Sequence, residues 1–521
     1  MQRIFFILIF LSTSISIFSQ DADIVLKNGK VLDGTGNSWF YADVAIKDGK
    51  IISIQKNISL AAKKTFDCSG LIIAPGFIDV HTHIEDDEAK NPLATNFIHD
   101  GVTTVITGNC GSSWSNLDKY FKYVDSIKLS INVAALIGHN DVRKAVMGRA
   151  MRDPSEAELI KMEAIVEKAM QDGAVGLSTG LIYIPGTYSK TSEIIRLAKV
   201  AAKYNGVYAS HMRYEGDSIV DAINEAINIG RVCNIPVEIS HFKLSGQNNW
   251  GRSKETVPMI INAREEGLDV TIDQYPYTAS STSLSTLLPD WVLADGQDSI
   301  KARLSKPVLR KQISKTMMQN LAKRKLKHFS YAVVAYHKAD TTLNGLSVEQ
   351  INVLRKNKPT IQNEINTIFD LMIAGGASCV FHGMSEEDVK NIMKYPFNMF
   401  ASDASIRVMN SGQPHPRGYG TNARVLGKYV REENVISLEE AIRRMTSLPA
   451  QKFNLKDRGL LKEGMAADVV VFDEATVKDK SEFNKPHQLS VGFKYVIVNG
   501  VLTLESEVHT GAKNGVTLRR K

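Results

Sequence analysis

The sequence predicts an α/β fold: a (β/α)8 TIM-like barrel with a small β-sandwich domain assembled from both chain ends. Three observations predict it. Apolar strand-like runs alternate with amphipathic helical stretches through the middle of the chain, the two ends share a different texture of short strands and tight turns, and the candidate metal ligands close apolar runs about one βα unit apart. With 521 residues, 43% of them hydrophobic, the chain can bury a large core. Its formal charge of +7 is spread along the sequence apart from Arg519-Arg520-Lys521, so no nucleic-acid partner is expected.

Residues 1–20 place Arg3 ahead of an apolar run and small or polar residues before Asp21, the layout of a secretory signal peptide. An uncleaved anchor is the alternative, but the run is short for a span and diluted by Ser and Thr. No later segment offers about 18 uninterrupted apolar residues. The expectation is an exported protein, periplasmic or extracellular, without stable membrane insertion after cleavage. Four cysteines, Cys68, Cys110, Cys233 and Cys379, are too few for a disulfide framework in a chain of this size, which leaves at least one for chemistry.

Residues 21–74 read as the first part of the sandwich, with Asn28-Gly29 and Asp48-Gly49 as hairpin turns, and residues 454–521 as the second, with Asn499-Gly500. Residues 75–453 carry the barrel. There, Asp153-Pro154-Ser155-Glu156 reads as a helix start with Pro at the first helical position, followed by a face containing Leu159, Ile160, Ile165, Val166 and Met170. Strand then resumes at Ala174, and the rhythm recurs through VYASH, PVEISH and DVTIDQY. It is lost at about 286–346, a Lys- and Arg-rich stretch read as an insertion, either a lid or a solvated helical excursion. Counting both SYAVVAY and SCVFH as barrel strands would exceed eight, so one of them is assigned to the insertion.

His81 and His83 follow the apolar run PGFIDV, and residues two apart on a strand point the same way, so both imidazoles can meet one ion. Cys110 lies 29 residues beyond His81, and His241 lies 30 beyond His211. Cys110, His211, His241 and Asp403 each end an apolar run, and strand ends of this kind converge on the catalytic face of a barrel. Imidazole, thiolate and carboxylate form the ligand repertoire of Zn²⁺. Taken one at a time, each residue could equally be a buried hydrophobe, a core histidine or a turn residue.

The strings GFIDVHTHIEDD, GNCGSS, GLSTGLIYIPG, SHMRYEG, EISHFKLSG, DQYPYTA, ASDAS, HPRGYG and TSLPAQKFNLKDRGLLKEGMAADVVVFD, in this order, resemble the N-acyl-D-amino-acid deacylases (D-aminoacylases) of the metal-dependent amidohydrolase superfamily. The resemblance covers essentially the whole chain after residue 20. It implies zinc, with Cys110, His211 and His241 holding one tight site and His81 and His83 a second, weaker one that shares Cys110. It also implies Asp403 as the catalytic acid–base and a small-molecule N-acylated D-amino acid as substrate. Groups suited to that anion are Lys243, Arg417, Tyr183 and a Tyr of Tyr275-Pro276-Tyr277, for which Tyr277 is taken, with Ser178 as a further donor. One departure stands out: Ala404 follows Asp403 where relatives commonly carry Gly. Two other readings remain open at this point. One is a D-residue-specific peptidase or cyclic-amide hydrolase using the same site; the other is a non-catalytic barrel scaffold.

Overall fold

A computed structural model describes residues 21–520, so the expected signal peptide lies outside the described residues. Among these residues eight parallel barrel strands follow one another in chain order: Phe77–Asp79, Val102–Thr107, Asn132–Ala135 continued by Ile137–Gly138, Gly176–Gly180, Val207–His211, Val237–Ile239, Val270–Gln274 and Asn398–Phe400. The last strand meets the first just beyond their C-terminal ends. There Thr82 and Ala404 form a parallel bridge, and Asp403 N–H donates to the His81 carbonyl at 2.9 Å.

The lower barrel is filled. Ile78, Val80, Ile106, Ala134, Val175, Val207, Ala209 and Met399 pack together with Ala450 and Phe453 from the chain around helix Ser447–Lys452. Inward-facing aliphatic side chains thus form a packed floor, and chemistry is left to the loops at the strand C-termini. The crossover helices bury one stripe each, as periodicity requires. Helix Glu156–Gln171 shows how far sequence reading carries: it starts two residues later than Pro154 implies, capped by a Ser155/Glu158 capping box, and it buries Met162, Val166, Ala169 and Met170 while Ile160 is exposed. Two adjacent reciprocal hydrogen bonds outcompete the proline signal.

Strands from both chain ends share one hydrogen-bonded sheet. Val469–Phe472 pairs antiparallel with Ile72–Pro75, which joins the hairpins of residues 22–55 to those of residues 493–509. Ile24, Val44, Ile73, Val469 and Ile497 share one core within it. The final residues leave this sheet: Val516 O accepts from Val133 N–H, and Leu518 N–H donates to Val133 O, so the tail runs along the third barrel strand.

The insertion is larger than the sequence suggests. Strands Ala279–Ser283, Ala332–Tyr336 and Ser378–His382 form a separate antiparallel sheet, with helices Gln297–Ser305, Pro307–Lys323, Val348–Leu354 and Ile361–Ile373 around it. Both SYAVVAY and SCVFH therefore belong to the insertion, rather than one of them. The insertion has its own core, including Leu304, Ile313, Met317, Ile351, Ile365 and Phe369, and the apolar runs that build this second core mimic barrel strands in the sequence.

Candidate metal centre

Six polar side chains meet above the barrel floor, each delivered by the end of a strand. His81 Nε2 lies 3.2 Å from Cys110 Sγ, and the same sulfur lies 3.4 Å from His211 Nδ1 and 3.6 Å from His241 Nε2. His83 Nε2 is 3.2 Å from Asp403 Oδ1, which is 3.7 Å from His81 Nε2. Cys110 therefore belongs to two groups of potential ligands, one with His81 and His83 and one with His211 and His241. Ligands about 2.0–2.3 Å from one tetrahedral ion sit roughly 3.3–3.8 Å apart, the range of the two sulfur–imidazole contacts in the second group. His211 and His241, at 2.7 Å, are instead hydrogen-bonded to each other.

The backbone concentrates strain here. Cys110, His241 and Asp403 all adopt positive φ, +52°, +36° and +48° respectively, a region L-residues other than Asn and Asp seldom visit. Such turns aim the side chains into the barrel mouth as the chain leaves each strand. Ser178 braces one of them: its hydroxyl donates to the Gly108 carbonyl and accepts the Gly111 N–H at 3.0 Å, holding the loop on both sides of Cys110.

The charge pattern fits a cation. Burial pushes the Cys110 thiol up, but the facing His81 and His211 hold it well below the usual thiol range. Burial disfavours a charged His81, yet Cys110, Asp273 and Asp403 raise its affinity for a proton well above normal, and His83 is pulled up to about 9 by Asp403 and Cys110 against the same burial cost. Cys68 and Cys379, buried without such neighbours, are pushed up to about 12 and are inert by comparison. All four cysteines are free thiols. The His211 Nε2 atom is buried without a hydrogen-bond partner. A thiolate, imidazoles and a carboxylate drawn together around missing positive charge match the donor set of a divalent metal.

Two carboxylates that sequence reading passed over orient these ligands. Asp273 accepts the His241 N–H at 2.8 Å through Oδ1, and its Oδ2 lies 3.2 Å from His81 Nδ1. Glu215 Oε1 lies 3.0 Å from His241 Nδ1 and also accepts from Lys243. Partners of this kind fix the imidazole tautomer and raise its basicity. Both lie in quoted motifs, DQY and SHMRYEG, and the signal that could have found them is a carboxylate at or just beyond a strand end.

The remaining candidates divide. Arg417 reaches Asp403, Nη1 to Oδ2 2.8 Å, stacks on the Tyr275 ring at 4.5 Å, and keeps Nε and Nη1 without an aligned hydrogen bond. Tyr183 packs against the His211 ring and hydrogen-bonds Thr282 of the insertion at 3.0 Å. Lys243 is buried beneath His241, its charge matched by Glu215. Tyr277 is not at the site: its ring lies against His415, Phe483 and Arg424, whereas Tyr275 faces Lys243 and Arg417. The strand ends at Gln274, so strand alternation does not set where either tyrosine of the Tyr275-Pro276-Tyr277 segment points. Ser178, fully buried by its bracing bonds, does not reach the cavity. Ala404 is accommodated because its methyl lies against Gly418, where a Cβ would approach it to 3.4 Å. A cavity of about 450 Å³, lined among others by His83, Cys110, Tyr183, Asp403 and Arg417, opens beside the ligands.

A barrel whose strand ends carry a thiolate shared by two imidazole groups, with a carboxylate beside them, defines a metal-dependent hydrolase. The sequence pattern of the amidohydrolase family matches residues 64–504. The D-aminoacylase of Alcaligenes xylosoxydans xylosoxydans is 34% identical, covering 96% of this chain and 98% of its own length. Among solved structures, a crystal structure of D-aminoacylase superposes with a TM-score of 0.83 at 32% identity, covering 96% of this chain and 100% of that one. N-acyl-D-glutamate deacylase from Bordetella bronchiseptica, complexed with zinc and a phosphonate inhibitor, gives 0.81 at 32% identity, covering 96% and 99%. The chain belongs to the amidohydrolase family.

Proposed function

We propose that the protein hydrolyses the amide bond of N-acyl-D-amino acids, giving a carboxylate and a free D-amino acid, with zinc as its metal. The observation that carries this reading is Cys110 Sγ, within 3.6 Å of His81, His211 and His241 ring nitrogens, in a mouth that also holds Asp403. The similarity to D-aminoacylase and to a zinc-containing deacylase of an N-acyl-D-amino acid supports it.

Cys110, His211 and His241 would hold the tight ion, and His81 and His83, sharing Cys110, a weaker one. When bound, Zn²⁺ supplies a Lewis acid that polarises the scissile carbonyl and makes water a competent nucleophile at neutral pH. Asp403 accepts the water proton at Oδ1, the oxygen facing His83, and returns it to the departing nitrogen, which must leave as a neutral amine. Arg417 holds the Asp403 carboxyl well below the usual range against a burial cost in the other direction, so the base is ionised at rest. A substrate carboxylate that engages the open edge of Arg417 draws part of that positive charge from Asp403 and makes it a better proton acceptor. Tyr183, tied to the insertion through Thr282, walls the cavity, and the buried Tyr275 ring backs the Arg417 guanidinium. The proposed exported location rests on residues 1–20 alone and is checked by N-terminal sequencing of the protein secreted by its host.

The test is a comparison of zinc-loaded enzyme on matched N-acetyl-D- and N-acetyl-L-amino acids. Hydrolysis of the D series with little of the L series is expected; comparable rates on both would overturn the stereochemical claim.

A further inference from the structure

We infer that Arg407 reads a second carboxylate, on the side chain of the D-amino acid, and that the preferred substrates are N-acyl derivatives of acidic D-amino acids. This rests on the deacylase reading above and deepens it. The similarity to relatives does not decide the matter, since a D-aminoacylase and an N-acyl-D-glutamate deacylase match at the same 32% identity.

Arg407 lines the same cavity as Asp403 and Arg417, four residues beyond Asp403 on the same loop. Its backbone is fixed from both sides, the N–H donating to Asn96 Oδ1 at 3.0 Å and the carbonyl accepting from Asn91 Nδ2 at 3.0 Å. Its guanidinium is not fixed. Nε is buried without a hydrogen-bond partner, and among the described residues no carboxylate lies within 4.0 Å of its nitrogens. Arg417 repels it, while Asp87, paired with Lys90, and Asp403, paired with Arg417, attract it only from beyond ion-pair distance; the side chain lies over Gly418, where an added Cβ would meet Nε at 2.8 Å. The guanidinium is half-buried at the cavity wall, with Nε desolvated and no paired carboxylate, and so presents free donors and a positive charge to an anion entering the cavity.

The other charges of the cavity do not supply that anion. Lys144 is 3.5 Å from Asp141, and Asp403 is matched by Arg417, while Arg149 at the rim adds a further cation. A substrate with one carboxylate can satisfy Arg417 only. Because Arg407 lies beside Arg417, the partner it lacks belongs on the amino-acid side of the scissile bond rather than on the acyl group. A fork of donors in that place matches a carboxylate in bidentate fashion.

The experiment measures kcat/KM for N-acetyl-D-glutamate, N-acetyl-D-aspartate, N-acetyl-D-leucine and N-succinyl-D-leucine on wild-type enzyme and on Arg407→Met and Arg407→Lys, together with inhibition by the products D-glutamate and D-leucine. Wild type should favour an acidic substrate, and Arg407→Met should lower the acidic-to-neutral ratio by about 10- to 100-fold, with partial recovery in Arg407→Lys. D-Glutamate should inhibit wild type more strongly than D-leucine, a readout that stands even if the variants fold poorly. An unchanged ratio in Arg407→Met, a neutral preference in wild type, or a preference for the N-succinyl compound overturns the assignment while leaving the deacylase reading in place. Hydrolysis of none of the four overturns both.

Discussion

Asp403→Asn removes one charge and almost nothing else. Asn is nearly isosteric with Asp and, unlike most residues, tolerates the positive φ of +48° found here, so the turn between His81 and Ala404 should survive. The variant loses the proton acceptor at Oδ1, 3.2 Å from His83 Nε2, and the counter-charge 2.8 Å from Arg417. A positioned acid–base group contributes about 10²–10⁴-fold in rate, or roughly 2.7–5.4 kcal/mol of barrier. The buried Arg417 left unmatched costs about 3 kcal/mol of stability, so thermal unfolding must first show that the variant is folded at the assay temperature. The assay is steady-state deacylation of an N-acetyl-D-amino acid with zinc content measured on the same sample. Turnover should fall by at least about 100-fold, and zinc should remain, since Asp403 is outside the Cys110, His211 and His241 group. Full activity would refute the role of Asp403; loss of zinc in step with activity would make it a ligand instead.

Three further outcomes follow from named contacts. Asp273→Asn loosens both His81 and the His241 backbone, and metal affinity measured by competition with a chelator should fall by about 10- to 100-fold. Ser178→Ala should lower stability by about 1–3 kcal/mol in denaturant titrations with KM unchanged; a raised KM at unchanged stability would return Ser178 to substrate binding. Glu88, buried with Oε2 unpartnered and Oε1 taking the Tyr120 hydroxyl at 2.7 Å, has its carboxyl raised to about 7 by burial. Its folded state therefore holds a proton that the unfolded chain has lost, and stability should decline as pH rises from about 4.3 to 7, by no more than about 4 kcal/mol. Glu88→Gln should flatten that part of the profile; an unchanged slope would show that the group is ionised throughout.

The ligand positions were legible because each closes an apolar run, a pattern set by strand ends converging on one face. His81, His83, Cys110, His211, His241 and Asp403 do come together. What escaped depends on contacts between elements. Asp273 and Glu215 act by touching histidines from neighbouring strands; their place at or just beyond a strand end is visible in the sequence, but the histidines they touch are not. Ser178 looks like a donor to substrate by residue type, but its hydroxyl is consumed by the loop across from it. Tyr275 and Tyr277 differ only in where the chain goes after the strand ends, which Pro276 leaves undetermined in sequence. The insertion was misjudged because a second hydrophobic core is built from the same residue types as the first.

The central claim is that Cys110, His211 and His241 hold the ion on which hydrolysis depends. Its most direct test is titration of metal-stripped protein with Zn²⁺, following bound metal and deacylation of an N-acetyl-D-amino acid together, in wild type and in Cys110→Ala. Stripped wild type should be inactive and regain activity as the first equivalent binds, and Cys110→Ala should neither bind that equivalent tightly nor recover. Full activity of the stripped protein, or tight zinc binding with normal turnover in Cys110→Ala, would contradict the account.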